Sequence, residues 1–184
     1  LQRAPLNECH KIVRKQWPRS KLVTSTSTIP YPTYHKPGGT CMFVVNQWSD
    51  RVAKHNSDPH GLGRWTYIQL VGRGGRKLVI CTVYQAVKTT GDTTNYSQQF
   101  ALLQLQGITE PDPRKKLVAD LTAQVQEWQQ SDFEVIIVAD INESLGASSQ
   151  GFISLLTECG LVDVMAFQHG LTNEVSTYAR GTTR

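Results

Sequence analysis

Long apolar runs are what this sequence most clearly lacks. No stretch approaches the roughly 20 residues a membrane-crossing helix needs, and the longest clean run, Val135 to Ala139, has only the length of a strand. No span across a membrane is therefore expected. The pattern of a secretory leader, a basic start, an apolar stretch and a small-residue cleavage site, does not occur either. Methionine is scarce: Met42 and Met165 are the only ones, the first residue is Leu1, and Gly181-Thr182-Thr183-Arg184 carries no helix-end or tail signal. Both ends are expected to be cuts rather than natural termini. Cysteine is sparse and unpaired in spacing. Cys9, Cys41, Cys81 and Cys159 form no C-x-x-C, and the histidines His10, His35, His55, His60 and His169 have no zinc-ligand spacing. The expectation is buried free thiols in a reducing, intracellular compartment, nuclear or cytoplasmic. Internal repeats and low-complexity segments are missing too.

What remains is an ordinary globular composition. The 184 residues are 39% hydrophobic and 18% charged, enough for one domain with a real core. A formal charge of +4 and a pI near 8.9 are compatible with a polyanionic partner without identifying one.

The punctuation of the chain divides it into alternating elements. Leu6 to Trp17 reads as a helix, with Leu6, Ile12, Val13 and Trp17 on one face and Pro18 ending it. A strand is expected over Lys21 to Thr26, a Pro/Gly-rich loop over Ile29 to Gly39, and a strand over Thr40 to Val45. A polar connection then runs to Gly61-Leu62-Gly63. Trp65 to Val71 and Lys77 to Tyr84 read as the arms of a hairpin, joined by Gly72-Arg73-Gly74-Gly75-Arg76. That link matches neither G-x-G-x-x-G nor a Walker sequence, and no helix follows it. Its tip arginines, Arg73 and Arg76, are either non-specific phosphate contacts or solubilising turn residues.

After a polar loop over Gln85 to Asn95, helices are expected over Tyr96 to Leu105 and Pro113 to Gln130. The second buries Leu117, Val118, Leu121, Val125 and Trp128, with Asp112 as its N-cap. Val135 to Val138, consecutive and apolar, read as a strand covered on both faces. A helix over Gly151 to Cys159 and a strand start at Thr177 to Ala179 follow. The mixture implies α+β layers around antiparallel sheet rather than a regular βαβ array. Trp17, Trp48, Trp65 and Trp128 are spread along the chain and read as core or edge, not as a base-stacking platform.

Chemistry concentrates where the apolar strand stops, at Asp140-Ile141-Asn142-Glu143. A carboxylate at the rim of a core has a fixed orientation and access to ligands. It can orient or deprotonate a water, or bind a hard cation. Asn142, two residues on, would share Asp140's side if the backbone stays extended, and its amide could donate to a phosphate oxygen without adding repulsive charge. The same residues equally suit a strand-to-loop turn. Glu143 reads as an exposed loop carboxylate in preference to a ligand, and Tyr84, taken alone, as a core tyrosine ending its strand. Arg180 and Arg184 are either phosphate ligands or solvated loop charges.

The order of these segments resembles the endonuclease/exonuclease/phosphatase (DNase I-like) superfamily. Val135 to Glu143 is similar to its apolar strand followed by Gly-Asp-Phe-Asn, with Ala139 and Ile141 in place of Gly and Phe. Leu78 to Tyr84 is similar to the strand that ends in a site tyrosine. Ser176 to Arg184 resembles the segment before an Arg-Ile-Asp-Tyr element. Gly61-Leu-Gly-Arg-Trp65, Asn95-Tyr-Ser-Gln-Gln99 and Asp112-Pro-Arg114 bring it nearest to the endonuclease-like domains that accompany reverse transcriptases in non-LTR retroelements.

The resemblance implies a two-sheet β-sandwich flanked by helices, four layers in all and incomplete at both ends. It implies magnesium-dependent cleavage of phosphodiester bonds, with DNA as the partner and a reverse transcriptase in the parent chain. Asp140 would align or deprotonate the attacking water, Asn142 would hold the scissile phosphate or a metal-bound oxygen, and Tyr84 would hydrogen-bond the phosphate. Arg180 and Arg184 would meet substrate. The family's metal-binding Glu would precede Leu1 and its closing Asp and Asp-His pair would follow Arg184, so the chain alone is expected to be inactive. Two alternatives stand beside this: a phosphatase or phospholipase of the same fold, and a decayed, non-catalytic nucleic-acid-binding remnant.

Overall fold

The computed structural model describes residues 3–28, 38–89, 91–145 and 150–170. Two sheets organise them. Strands β1 (Ser20–Ser25) and β2 (Thr40–Val45) form an antiparallel pair, and β3 (Val52–Ser57), β4 (Trp65–Val71), β5 (Lys77–Tyr84) and β6 (Glu134–Asp140) form a second sheet in that order. The helices are α1 (Arg3–Gln16), α2 (Asn95–Leu105), α3 (Pro113–Gln130), α4 (Phe152–Cys159) and α5 (Val164–His169). The chain is α+β. It departs from a purely antiparallel sheet at β5–β6, which run parallel because α2 and α3 carry the chain back between them.

Alternation along β4 and β5 sorts side chains onto two faces. Trp65, Tyr67, Val79, Cys81 and Val83 meet Leu117, Leu121, Val125 and Trp128 of α3, and Phe152 and Leu155 of α4, in one core. On the opposite face Ile68 and Leu70 meet Val23 of β1 and Val44 of β2, with Leu78 and Ile80 beside them. Helix α3 has the expected bounds, and Asp112 accepts from the Arg114 and Lys115 amides at 2.9 and 3.2 Å. It ends at Ser131, and Asp132 turns the chain at φ 64°.

Gly63 illustrates a position that composition alone does not explain. Its φ is 73°, and a Cβ there would meet Ser27 N at 2.9 Å, so any larger residue would strain the Ser27–Leu62 bridge that follows β1. The link in the β4–β5 hairpin is a tight turn with Gly74 and Gly75 at φ 69° and 77°, as the hairpin reading required.

Three expectations need correction. The polar connection before Gly61 contains a 3-10 turn over Asn46–Arg51 and strand β3. Val-Ala-Lys-His-Asn-Ser shows no apolar alternation because β3 is an edge strand exposed along most of its length, held by pairing with β4. Helix α5 was not expected; Asp163 caps it by accepting from Met165 and Ala166 amides at 2.9 and 3.2 Å. Strand β6 is not covered on both faces. Val135 and Ile137 pack on the helix-side core, but Ile136 and Val138 are 49% and 60% exposed. The two-stranded sheet lies over β3, β4 and β5 and does not reach β6, which among the described residues is an edge. The strand expected at Thr177 to Ala179 lies outside the described residues, as does most of the loop at 29–39.

Cys41, Cys81 and Cys159 are free thiols. Burial pushes the Cys81 thiol far up, because the thiolate would sit in the helix-side apolar core, opposite Tyr67 of β4. Neutral thiol is therefore the folded form throughout the neutral and mildly alkaline range. Cys81 should react with a thiol reagent at pH 8 only as fast as the protein unfolds, while partly exposed Cys41 reacts directly. Peptide mapping of labelled protein that found both modified at one rate would contradict this packing.

Candidate active site

The parallel register of β5 and β6 brings two of the sequence candidates together. Tyr84 is the Cα partner of Asp140, at the end of a ladder that also pairs Thr82 with Val138 and Val83 with Ala139. Neighbouring strands lie about 4.8 Å apart, and registered partners point to the same side. Tyr84 and Asp140 thus share the face opposite α3, at the C-terminal edge of the sheet. Asp140 is exposed, and among the described residues its carboxylate makes no hydrogen bond or ion pair. Its backbone is fixed: Gln85 N donates to Asp140 O at 2.9 Å, and Tyr84 N donates to Arg64 O at 2.8 Å.

Asn142 does not continue the strand. Its φ is +48°, a left-handed conformation that Asn tolerates better than most residues. The extended backbone that would have set it on Asp140's side is therefore absent. Its Nδ2 instead donates to Gln85 O at 2.8 Å. A primary amide keeps a second N–H and its carbonyl oxygen, and the residue is exposed, so it retains polar atoms toward solvent beside Asp140. Gln85 is the crossing point of the two loops, bonded through its own N–H and C=O to Asp140 and Asn142. It is 1% exposed, and among the described residues both polar atoms of its side chain lack hydrogen-bond partners. Nothing in the sequence singled it out.

Arg114 holds this arrangement from behind. Its Nη1 donates to Ala86 O at 2.9 Å, and its Nη2 reaches Glu143 Oε2 at 2.5 Å, with Asn142 O at 3.3 Å and Ile141 O at 3.4 Å. Glu143 Oε1 in turn accepts from Phe152 N at 2.6 Å, at the start of α4. Glu143 is thus a partly buried tie between Arg114 and a helix N-terminus, where a carboxylate is favoured, rather than a free loop carboxylate. The signal for Arg114 was present in the sequence as Asp112-Pro113-Arg114: the cap and proline fix the helix start, so the next side chain has a defined direction.

Replacing Arg114 by Leu should cost about 1.5–3 kcal/mol, the range for hydrogen bonds to charged groups, and should raise amide exchange at Gln85. Lys should not rescue it, since one ammonium cannot span Ala86 O and Glu143 as a planar fork does. Unchanged exchange at Gln85 in folded Arg114→Leu would show that the clamp does not hold the loops.

Among the described residues no group of three or more His, Cys, Asp or Glu side chains could hold a metal ion. Arg180 and Arg184 lie outside the described residues. No described helix is long and apolar enough to cross a membrane. Compared with models of known protein families and with curated proteins, the chain matches none.

Proposed function

We propose that this chain supplies the water-activating part of a magnesium-dependent phosphodiester hydrolase, an endonuclease acting on DNA, within a DNase I-like four-layer architecture. The observation that carries the proposal is the β5–β6 register, which sets Tyr84 beside Asp140 on one face at the open end of the sheet. An exposed carboxylate with a fixed backbone is suited to take a proton from water. A neighbouring phenol is suited to donate to a phosphoryl oxygen, and Asn142 to bond either the water or the phosphate. Arg180 and Arg184 are assigned to substrate in this reading.

The described residues do not by themselves fit magnesium. Glu143 is engaged by Arg114 and the α4 N-terminus, so among the described residues Asp140 is the unengaged carboxylate of the Asp140-Ile141-Asn142-Glu143 segment, and magnesium is usually held by one or two carboxylates besides water and phosphate. The reading therefore assigns the metal's remaining ligands to other residues of the parent polypeptide, which it places beside a reverse transcriptase. When bound, the metal would offset charge on the phosphoryl oxygens. What Tyr84, Asp140 and Asn142 do is derived without it: they position water and phosphate and accept one proton.

The test uses the polypeptide encoded with its native flanking sequence. Supercoiled plasmid should be nicked with magnesium and left intact with EDTA, while an inositol phosphate and sphingomyelin should remain unhydrolysed. Turnover of either small substrate without nicking would move the assignment to a phosphatase or phospholipase. Plasmid binding without cleavage would favour a non-catalytic remnant.

A further inference from the structure

The end of the sheet opposite Tyr84 and Asp140 carries an unusual charge distribution. From Glu8 to Asp50 the sequence contains no acidic residue, while Lys11, Arg14, Lys15, Arg19 and Lys21 fall within one short stretch of it. The fold gathers this stretch with two other basic segments. Arg14 and Lys15 form the last turn of α1. The 3-10 turn Asn46–Arg51 is joined to the start of β1 by Asn46 N donating to Arg19 O at 2.8 Å and by an Arg19–Asp50 ion pair. Lys21 Nζ reaches Val52 O at 3.3 Å, and Val52 pairs with Leu70 at the base of the hairpin whose tip bears Arg73 and Arg76. Among the described residues Arg14, Lys15, Arg51, Arg73 and Arg76 enter no salt bridge, and all are exposed. Asp50, inside the group, is taken by Arg19; Asp132 and Glu134 line the hollow beside Arg76 at the hairpin tip, and among the described residues neither pairs with it.

Aromatic rings interleave with these cations. Trp48 is 50% exposed and Trp17 37%. The Arg51 guanidinium lies 5.5 Å from the centre of the Trp48 ring, covering one side of it. Of the four tryptophans read as core or edge, Trp65 and Trp128 are core and Trp17 and Trp48 are edge.

We infer that this basic end, built from the α1 C-terminus, the Asn46–Arg51 turn and the β4–β5 hairpin tip, docks single-stranded nucleic acid. Guanidinium groups, the majority of its cations, suit phosphate oxygens. A ring with one face covered by a guanidinium presents the other to a base, and only unpaired strands offer base faces for stacking. The exposed apolar groups here, the rings of Trp17 and Trp48 with Ile12 and Val71, are interspersed in sequence with cations, unlike the unbroken apolar face that would enter a bilayer. The surface lies roughly 23 Å from Asp140, the length of β5 at about 3.3 Å per residue. It is therefore a second site and not a margin of the first.

Fluorescence anisotropy with labelled oligo(dT) and the 184-residue chain, in EDTA so that hydrolysis plays no part, tests the site independently of the proposed chemistry. Arg14→Gln/Lys15→Gln and Arg73→Gln/Arg76→Gln should each lower the slope of log affinity against log salt by about 1.4, at ~0.7 per phosphate contact for single strands. Trp48→Ala should weaken binding about 5-fold or more without changing the slope, and Trp48→Tyr should restore most of it. All these side chains are exposed, so the variants should fold, and circular dichroism would verify it. Unaltered slopes in both pairs would overturn the site. So would duplex DNA bound as tightly as oligo(dT) with Trp48→Ala neutral, or phosphatidylserine vesicles bound in its place.

Discussion

Asp140→Asn should reduce magnesium-dependent plasmid nicking by about 10²–10⁴-fold, the range that a positioned general base contributes, in the polypeptide carrying its native flanking sequence. The substitution is close to isosteric, and the fold gives it little else to disturb. Asp140 is exposed, its carboxylate has no partner among the described residues, and the bond that fixes it runs from Gln85 N to its main-chain oxygen. Stability should therefore change by no more than about 0.5 kcal/mol, as for other surface substitutions. What changes is chemical: an amide neither accepts the proton nor carries the charge.

Asn142→Ala is a poorer probe. It removes the 2.8 Å bond to Gln85 O and leaves Ala at a φ of +48°, so lost activity could follow from a displaced loop alone. Near-normal nicking by a folded Asp140→Asn protein would end the assignment of Asp140 as the base, whatever the other variants did.

The parts of this fold that were legible in the sequence are those whose burial leaves a periodic trace. Helix α3 shows its apolar face, its cap and its proline, and both bounds were readable to the residue. The β4–β5 hairpin shows two β-favouring runs and the glycines its turn needs. Strand β3 shows nothing, because an exposed edge strand buries little and is specified by its partner's free edge. Strand β6 misled for a related reason. Four consecutive apolar residues announce low polarity, not cover, and whether Ile136 and Val138 are covered depends on how far the other sheet extends.

The candidate site divides in the same way. Asp140 and Tyr84 were legible as residues at strand ends, but their pairing is a property of register, which no local pattern encodes. Arg114 and Gln85 act through backbone groups of loops some 28 and 57 residues away in sequence. Contacts to main-chain oxygens leave no complementary side chain to notice. The basic end was diluted in the total charge of +4, which averages an acid-free stretch with the acidic segments that follow it.

The largest loss of stability should come from a residue with no role in the proposed chemistry. Arg64 is 1% exposed and holds Asp58 through a two-pronged contact, Nε to Oδ2 at 2.7 Å and Nη2 to Oδ1 at 2.9 Å. Its Nη1 lies 2.9 Å from Asp120 Oδ2 on α3, an ion pair without good hydrogen-bond alignment. Its guanidinium also stacks 4.6 Å from the Trp65 ring. Asp120 also meets Lys116 and the His60 ring, whereas the fully buried Asp58 side chain has, among the described residues, Arg64 as its one cationic partner. Arg64→Met keeps much of the volume and removes the charge, leaving Asp58 ionised in a site closed to water. Breaking a buried pair on one side costs about 3–5 kcal/mol, a large share of the roughly 5–15 kcal/mol that holds a domain together. Because Tyr84 N donates to Arg64 O, the loss should also loosen the end of β5, visible as faster amide exchange at Tyr84. Replacing both partners, Arg64→Met with Asp58→Leu, should recover part of the loss, since no charge is then stranded; recovery should be incomplete because Asp58 also accepts from the His60 amide at 3.0 Å. Urea unfolding decides it: a single Arg64→Met variant within about 1 kcal/mol of the parent would mean that water reaches Asp58 and that the pair is not the buried anchor its geometry describes.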